Sequence, residues 1–242
     1  MVNTGYSAAQ YLESYPAGVD DYFWHVARHR IVHRALRRVM GTAGGRVLEI
    51  GCGRGIVVRY LRDHGVDCFG TELSPVEVDA DLAPYITADR DCFDLPEAER
   101  GRVGALMLLD VIEHLPEPVP FMRRLREAFP AARALVLTVP ARTELWSSYD
   151  THYGHFRRYT IVSVGAEVRQ AGFTAVEAGY FFHALYPVLL ALAQSSGKRF
   201  TTMSAPGRRR LHRFIGHCFF AESVVVPRRL WGSSIVCTAR AG

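Results

Sequence analysis

Residues 47–55, Val-Leu-Glu-Ile-Gly-Cys-Gly-Arg-Gly, combine the residue types and spacing best suited to chemistry in this chain of 242 residues. They read as a buried strand running into a glycine turn, with the carboxylate of Glu49 two residues ahead of Gly51. Glycine lacks a Cβ and tolerates φ > 0. Gly51, Gly53 and Gly55 can therefore bring backbone N–H groups and a helix N-terminus close to a ligand. Three more acidic positions, Glu72, Asp91 and Asp110, follow at the spacing of a nucleotide-binding α/β domain. A dinucleotide fingerprint needs a small residue five positions after its first glycine, and that position holds the branched Ile56. A second chemical cluster lies at 149–160, Tyr-Asp-Thr-His-Tyr-Gly-His-Phe-Arg-Arg-Tyr-Thr. Its histidines exchange protons near neutral pH, and its arginines can grip an anionic group through a two-pronged fork.

The elements that must position these residues are legible as alternating short apolar runs and amphipathic stretches. Val32, Ala35, Leu36 and Val39 recur at helical spacing within 25–40, and Gly41, Gly44 and Gly45 end that helix. Strands are expected at 46–50, 66–71, near 85–88, 103–109, 134–139, 173–181 and 232–240. Val57, Val58 and Leu61 face inward from the helix after the glycine turn. Ser74-Pro75 predicts an N-cap with proline at the first helical position. Further helices are expected over 119–128 and from a cap at Thr160 to Gly172. Beyond an apolar stretch at 181–193 come a basic Ser/Gly-containing linker and a helical segment with Phe214, Ile215, Phe219 and Phe220. The pattern implies an α/β fold, a doubly wound, Rossmann-like, seven-stranded and mostly parallel sheet with helices on both faces. Ligands of such sheets sit beyond the strand C-termini, where Glu49–Gly55, Glu72, Asp91 and Asp110 all fall.

Bulk composition narrows the class. A hydrophobic content of 49% can supply a full core. No stretch reaches the ~18–20 apolar residues that span a bilayer, and the N-terminus has neither a basic nor an apolar leader region. A cytoplasmic protein is expected. Five cysteines, an odd count with no CxxC pair, suit reduced packing residues rather than zinc ligands. The net charge is +5, with basic residues concentrated at 28–38 and 198–213, and Lys198 is the sole lysine. No aromatic interleaving or RNA-binding module accompanies them, so no nucleic-acid partner is expected, while peripheral contact with an anionic lipid surface stays open. Oligomeric state is not legible.

Over roughly residues 20–180 the chain resembles the class I S-adenosylmethionine (SAM)-dependent methyltransferases. Glu-Ile-Gly-Cys-Gly-Arg-Gly is similar to the segment that wraps the methionine part of SAM in that family. Leu-Leu-Asp-Val-Ile-Glu-His-Leu at 108–115 is similar to the segment flanking the cofactor after the fourth strand. The resemblance implies SAM as cofactor and S-adenosylhomocysteine as product, held by Glu49, Gly51, Cys52, Gly53, Gly55, Glu72, Leu73, Asp91, Cys92, Asp110 and Val111. Glu72 would take the ribose hydroxyls, Leu73 would flank the adenine, and Asp91 with Cys92 would meet its amine and N1 edge. Asp110 and Val111 would line the methionine end, with Glu49 reaching the amino group through water. Asp89 and Asp94 leave the register at Asp91 open. Glu113 and His114 either start the next helix or lie near the cofactor. The implied organisation is one domain over 1–242: a SAM-binding core at 20–182, a helical substrate lid at 183–230 and a final strand at 231–240.

Methyl transfer is an in-line displacement, so holding the acceptor in line with the sulfur–carbon bond contributes most, and an oxygen acceptor also needs a base. The 149–160 segment resembles a Gly-His-x-Arg-x-Tyr stretch in a subset of bacterial methyltransferases. It implies His155 as general base, with His152 second, and Arg157 or Arg158 as anchor for an anionic acceptor. The alternative is a loop that only braces the wall, its arginine paired with Asp150 or Glu144. Asp150, His152 and His155 do not have a diagnostic metal spacing, and no metal is expected. Tyr22-Phe23-Trp24-His25-x-x-Arg28 is similar to an aromatic segment that closes over the pocket in related enzymes, and core packing is its rival reading. Three functions follow: methylation of a small molecule, favouring oxygen; methylation of a lipid-linked, quinone-like or glycan acceptor; and non-catalytic SAM binding. An RNA substrate ranks last.

Overall fold

The computed structural model describes residues 15–41, 44–194 and 207–241. Seven strands form one sheet: β1 (Arg46–Ile50), β2 (Cys68–Thr71), β3 (Ile86–Thr87), β4 (Val103–Leu109), β5 (Ala134–Pro140), β6 (Phe173–Phe181) and β7 (Ser234–Ala241), in the order β3-β2-β1-β4-β5-β7-β6. Strands β1 to β5 pair in parallel, and β7 runs antiparallel between β5 and β6. The expected doubly wound sheet is therefore present. Its central strands are apolar on both faces: every residue of β4 except Gly104 is buried, as a parallel strand covered by helices requires.

One face is covered by α1 (Phe23–Met40), whose Ala27, Ile31, Val32, Ala35 and Leu36 pack on Val47, Met107, Val136 and Phe182. The other is covered by α4 (Pro118–Ala128) and α6 (Ile161–Gln170), with Met122, Leu125, Val164 and Val168 against Leu48, Leu106 and Leu135. Each fully buried aliphatic side chain of this kind contributes about 2 kcal/mol. Between α1 and α4 lie α2 (Ile56–Asp63) and the single turn α3 (Glu97–Arg100). Thr160 caps α6 as expected, accepting the Ser163 N–H at 3.0 Å.

The helix expected after Ser74-Pro75 is absent; residues 72–82 form an open loop. The Ser74 N–H is taken by the Glu72 carboxylate at 2.9 Å, and its carbonyl accepts from Asp89 N–H. Asp79 and Asp81 both pair with Arg59. These contacts hold the segment extended where a helix would need its own ladder.

Between β6 and β7 the chain forms α7 (Leu185–Gln194) and α8 (Arg209–Val225); the Ser/Gly-containing linker expected between them lies outside the described residues. Helix α8 lies tightly on α1, since a Cβ at Gly216 would come 2.6 Å from the Cβ of Val26. Glu222 of α8 accepts the N–H groups of His183 and Ala184 just before α7, at 3.0 and 2.7 Å. A carboxylate there complements the positive end of the helix dipole. Among the described residues no helix is long and apolar enough to cross a membrane.

Candidate active site

The sheet reverses direction of winding between β1 and β4, and one cavity of about 850 Å³ opens beyond their C-termini. Its floor is the glycine turn. Gly51, Gly53 and Gly55 have φ of +74°, +54° and +78°, in the left-handed region that a side chain would strain. The N–H groups of Gly51 and Cys52 both donate to the Thr71 carbonyl, at 2.8 and 3.1 Å. The Gly53 N–H donates to Glu72 Oε2 at 2.9 Å, while Ser74 N–H donates to Oε1 at 2.9 Å. Glu72 is thus an oriented carboxylate fixed across the turn, with lone pairs left for further donors. The hydroxyl of Tyr15 lies where a Cβ on Gly53 would be, within 2.1 Å of that position.

Glu49 is buried at the end of β1, and its Oε2 has no hydrogen-bond partner. Burial, opposed by Arg28 and reinforced by Glu72 and Asp110, pushes its carboxyl up to about 8. Its surroundings favour the neutral acid. Asp110 ends β4 with φ of +58°. Arg28 of α1 donates to its Oδ2 at 2.5 Å, Thr138 of β5 donates to its Oδ1 at 3.1 Å, and the Arg28 guanidinium lies over the Trp24 ring. Val111 packs beneath Gly51. Asp91 accepts the Phe93 N–H at 3.1 Å through Oδ1, Cys92 is buried beside it, and Leu73 stands half-exposed at the rim.

The opposite end of the cavity is built by the 3₁₀ turn Ile112–His114 and the loop after α5 (Ser148–His152). Asp150, fully buried, is its organising charge. It accepts from His155 Nδ1 at 2.8 Å, from Arg158 Nε and Nη2 at 2.8 and 3.0 Å, and from the Ser147 N–H at 2.8 Å. Burial works to raise this carboxyl, but the His155 and Arg158 hydrogen bonds outweigh it and hold Asp150 below the usual carboxylate range. The Asp150 bond orients the imidazole and fixes which nitrogen faces the cavity. Glu113 is entirely buried, neither carboxylate oxygen has a partner, and burial beside Asp110 pushes it well above the ordinary range. His114 meets the His155 ring edge-on at 4.7 Å, and burial, with His155 alongside, lowers it to about 4.

Most of the residues expected at the site line this cavity: Glu49, Gly51, Cys52, Gly53, Glu72, Leu73, Asp91, Cys92, Asp110, Val111 and His155. Gly55 caps α2 immediately behind the turn. Two further expected residues do not line the cavity. His152 is exposed and outside the cavity wall, and Arg157 turns away to the carbonyls of Leu115 and Pro116, at 3.3 and 2.6 Å. Arg158 is committed to Asp150, the bracing alternative. The set Asp150, His152 and His155 is not brought together as ligands; Glu113, His114 and His155 are, with one ligand atom of each within 4.8 Å of the others. Tyr22, Trp24, His25 and Arg28 do reach the cavity. The Arg28–Asp110 pair went unread because nothing local links residues so far apart.

Residues 23–178 match the model of a family described as a methyltransferase domain. Curated protein sequences give no match. Among solved structures, the chain is similar to a SAM-dependent methyltransferase from Archaeoglobus fulgidus, with 19% identity over 88% of this chain and 94% of that one, TM-score 0.51. It is also similar to the Burkholderia thailandensis 1,6-didemethyltoxoflavin-N1-methyltransferase, with 18% identity over 96% and 86% of the two chains, TM-score 0.56. A third similar structure is magnesium protoporphyrin IX methyltransferase from Synechocystis PCC 6803, with 16% identity over 90% and 83%, TM-score 0.52. At these identities the likeness is one of fold.

Proposed function

Because the chain belongs to the methyltransferase-domain family, we propose that it transfers the methyl group of SAM to a hydroxyl or carboxyl oxygen of a small-molecule acceptor. The observation that carries this reading is the His155–Asp150 bond of 2.8 Å in the wall of the same cavity that the glycine turn and Glu72 floor. The residues present fit the cofactor. The orphaned Glu49 oxygen suits an ammonium group, and the free lone pairs of Glu72 suit two ribose hydroxyls. Asp91 Oδ2 suits the adenine amine, with Leu73 and Phe93 supplying apolar flanks. When bound, SAM supplies an electrophilic methyl on a sulfonium. Asp110, locked by Arg28 and Thr138, and Val111 bound the space where that end would lie.

The protein's own part at the acceptor end is orientation and proton transfer. Asp150 holds His155 so that its second nitrogen meets an acceptor O–H, and the ionised Asp150 stabilises the imidazolium that proton uptake creates. Leu185, Leu189 and Leu192 of α7 line the apolar side, so that this helix serves as the lid over the reacting groups.

Exposed Leu189, Leu192, Phe214 and Trp231, alongside the arginines of α8, favour a second reading in which the acceptor is lipid-linked. Activity that needs vesicles or detergent would select it over a water-soluble acceptor. The primary test is calorimetric titration with SAM and S-adenosylhomocysteine. Each should bind once per chain, and Glu72→Ala should weaken binding by about 10–100-fold, as loss of hydrogen bonds to a charged group predicts. Unchanged affinity in Glu72→Ala sinks the cofactor assignment. Screening hydroxyl and carboxyl acceptors against amines then tests the oxygen preference.

A further inference from the structure

We propose that Glu113, His114 and His155 form a binding site for one divalent transition-metal ion at the acceptor end of the cavity. Each offers a ligand atom within 4.8 Å of the others. An ion held at ~2.1 Å from each needs side-chain closure of about an ångström. Glu113 is the strongest sign. It is fully buried with both oxygens unpartnered, an uncompensated charge if ionised, and a bound cation supplies the missing partner.

The His155 imidazole is also held as a metal-binding histidine is held. His155 is fixed through Nδ1 by Asp150, itself clamped by Arg158 and Ser147, which leaves Nε2 as the ligand atom. His114 meets the His155 ring edge-on, with centroids 4.7 Å apart, so both rings converge with Glu113 in the cavity wall. Asp110 lies nearby, but both its oxygens are taken by Arg28 and Thr138. Two imidazole nitrogens and one carboxylate suit zinc, iron(II), cobalt or manganese, rather than calcium.

Three protein ligands leave further coordination positions to be filled, and all three residues line the cavity. The substrate class is then an acceptor whose hydroxyl, alone or with a neighbouring oxygen, can take those positions. There it would lose its proton to solvent at lower pH. The new O–CH₃ bond forms as the sulfonium C–S bond breaks, its electron pair returning to sulfur in S-adenosylhomocysteine. What the ion does rests on the oxygen-acceptor reading; that the ion binds does not.

The test uses the whole chain, stripped with a chelator and titrated with Co²⁺ and Zn²⁺. Expected are one Co²⁺ per chain, visible d–d absorption, and paramagnetically shifted ring protons from two histidines. Glu113→Gln and His155→Asn should each weaken Co²⁺ binding by at least about 100-fold, and Asp150→Asn by about 10–100-fold. S-adenosylhomocysteine affinity should stay within about threefold in Glu113→Gln and His155→Asn, which also reports that each variant is folded. If a variant does not fold, the shifted histidine resonances of the wild type decide the matter. No Co²⁺ binding by the wild type at millimolar metal, or binding untouched in both ligand variants, overturns the proposal. Loss of the metal with S-adenosylhomocysteine still bound leaves His155 as a direct base. Metal bound without that nucleoside removes the cofactor reading and keeps the ion site.

Discussion

Arg28 Nη2 lies 2.5 Å from Asp110 Oδ2, joining the first long helix to the end of the fourth strand across 82 residues of sequence. Asp110 has φ of +58°, in the left-handed region that aspartate enters more readily than most side chains, and the pair fixes its carboxylate there. Arg28→Ala should therefore lower stability by about 2–3 kcal/mol in urea denaturation and weaken S-adenosylhomocysteine binding. Asp110→Gly, which relieves the backbone but strands the arginine, should recover neither. A variant as stable as the wild type and equally tight in binding would show the pair to be incidental.

Glu49 gives a pH signature. Its carboxyl titrates near 8 when folded, against 4.5 ordinarily, so between those values the folded chain carries a proton that the unfolded chain has lost. The contribution of this group to stability is complete below about pH 4.5 and falls as pH rises to about 8, at no more than ~1.4 kcal/mol per pH unit. Glu49→Gln should remove that decline, matching the wild type near pH 4.5 and exceeding it near pH 8 in denaturant melts. A ligand ammonium beside Glu49 favours the ionised form, so SAM binding should release a proton, detectable by calorimetry in buffers of different ionisation enthalpy. Parallel stability curves for the two proteins would count against the assignment.

Two neighbouring arginines should behave differently. Arg158→Ala leaves the buried Asp150 charge without its fork and should cost about 3–5 kcal/mol. Arg157→Ala loses carbonyl contacts at a more exposed site and should cost about 1 kcal/mol. Equal effects in thermal or chemical melts would mean that Asp150 does not depend on the fork.

His155→Ala, assayed with an active acceptor, should lower kcat by ~10²–10⁴ while S-adenosylhomocysteine affinity stays within about threefold. His152→Ala, exposed and outside the cavity, should leave both unchanged. The reverse order would return the base to His152.

The sheet was largely legible because its signal is local. Apolar runs such as Val103–Leu109 and the Gly51–Gly55 turn carry their conformation in consecutive residues. Thr160 was legible as a cap for the same reason. Ser74-Pro75 presents an equally good cap on paper, but Glu72 binds the Ser74 N–H first, and no rule of composition anticipates that competition. Arg157 and Arg158 are adjacent and chemically alike. Only the fold decides that one clamps Asp150 and the other the Leu115–Pro116 carbonyls. Glu113 and His114 looked equally suited to a helix start or to the site, and the turn after β4 put both in the cavity wall.

The phenol of Tyr15 rests on Gly53, where the cleft floor has no side chain. Whatever nestles against that glycine must first persuade the ring to move aside, so the measured dissociation constant contains the work of that displacement as well as the new contacts. Trimming Tyr15 to alanine should tighten occupancy if the ring is only an obstacle and loosen it if the ring swings over to cover its guest, which makes one aromatic side chain a gauge of how the crevice fills.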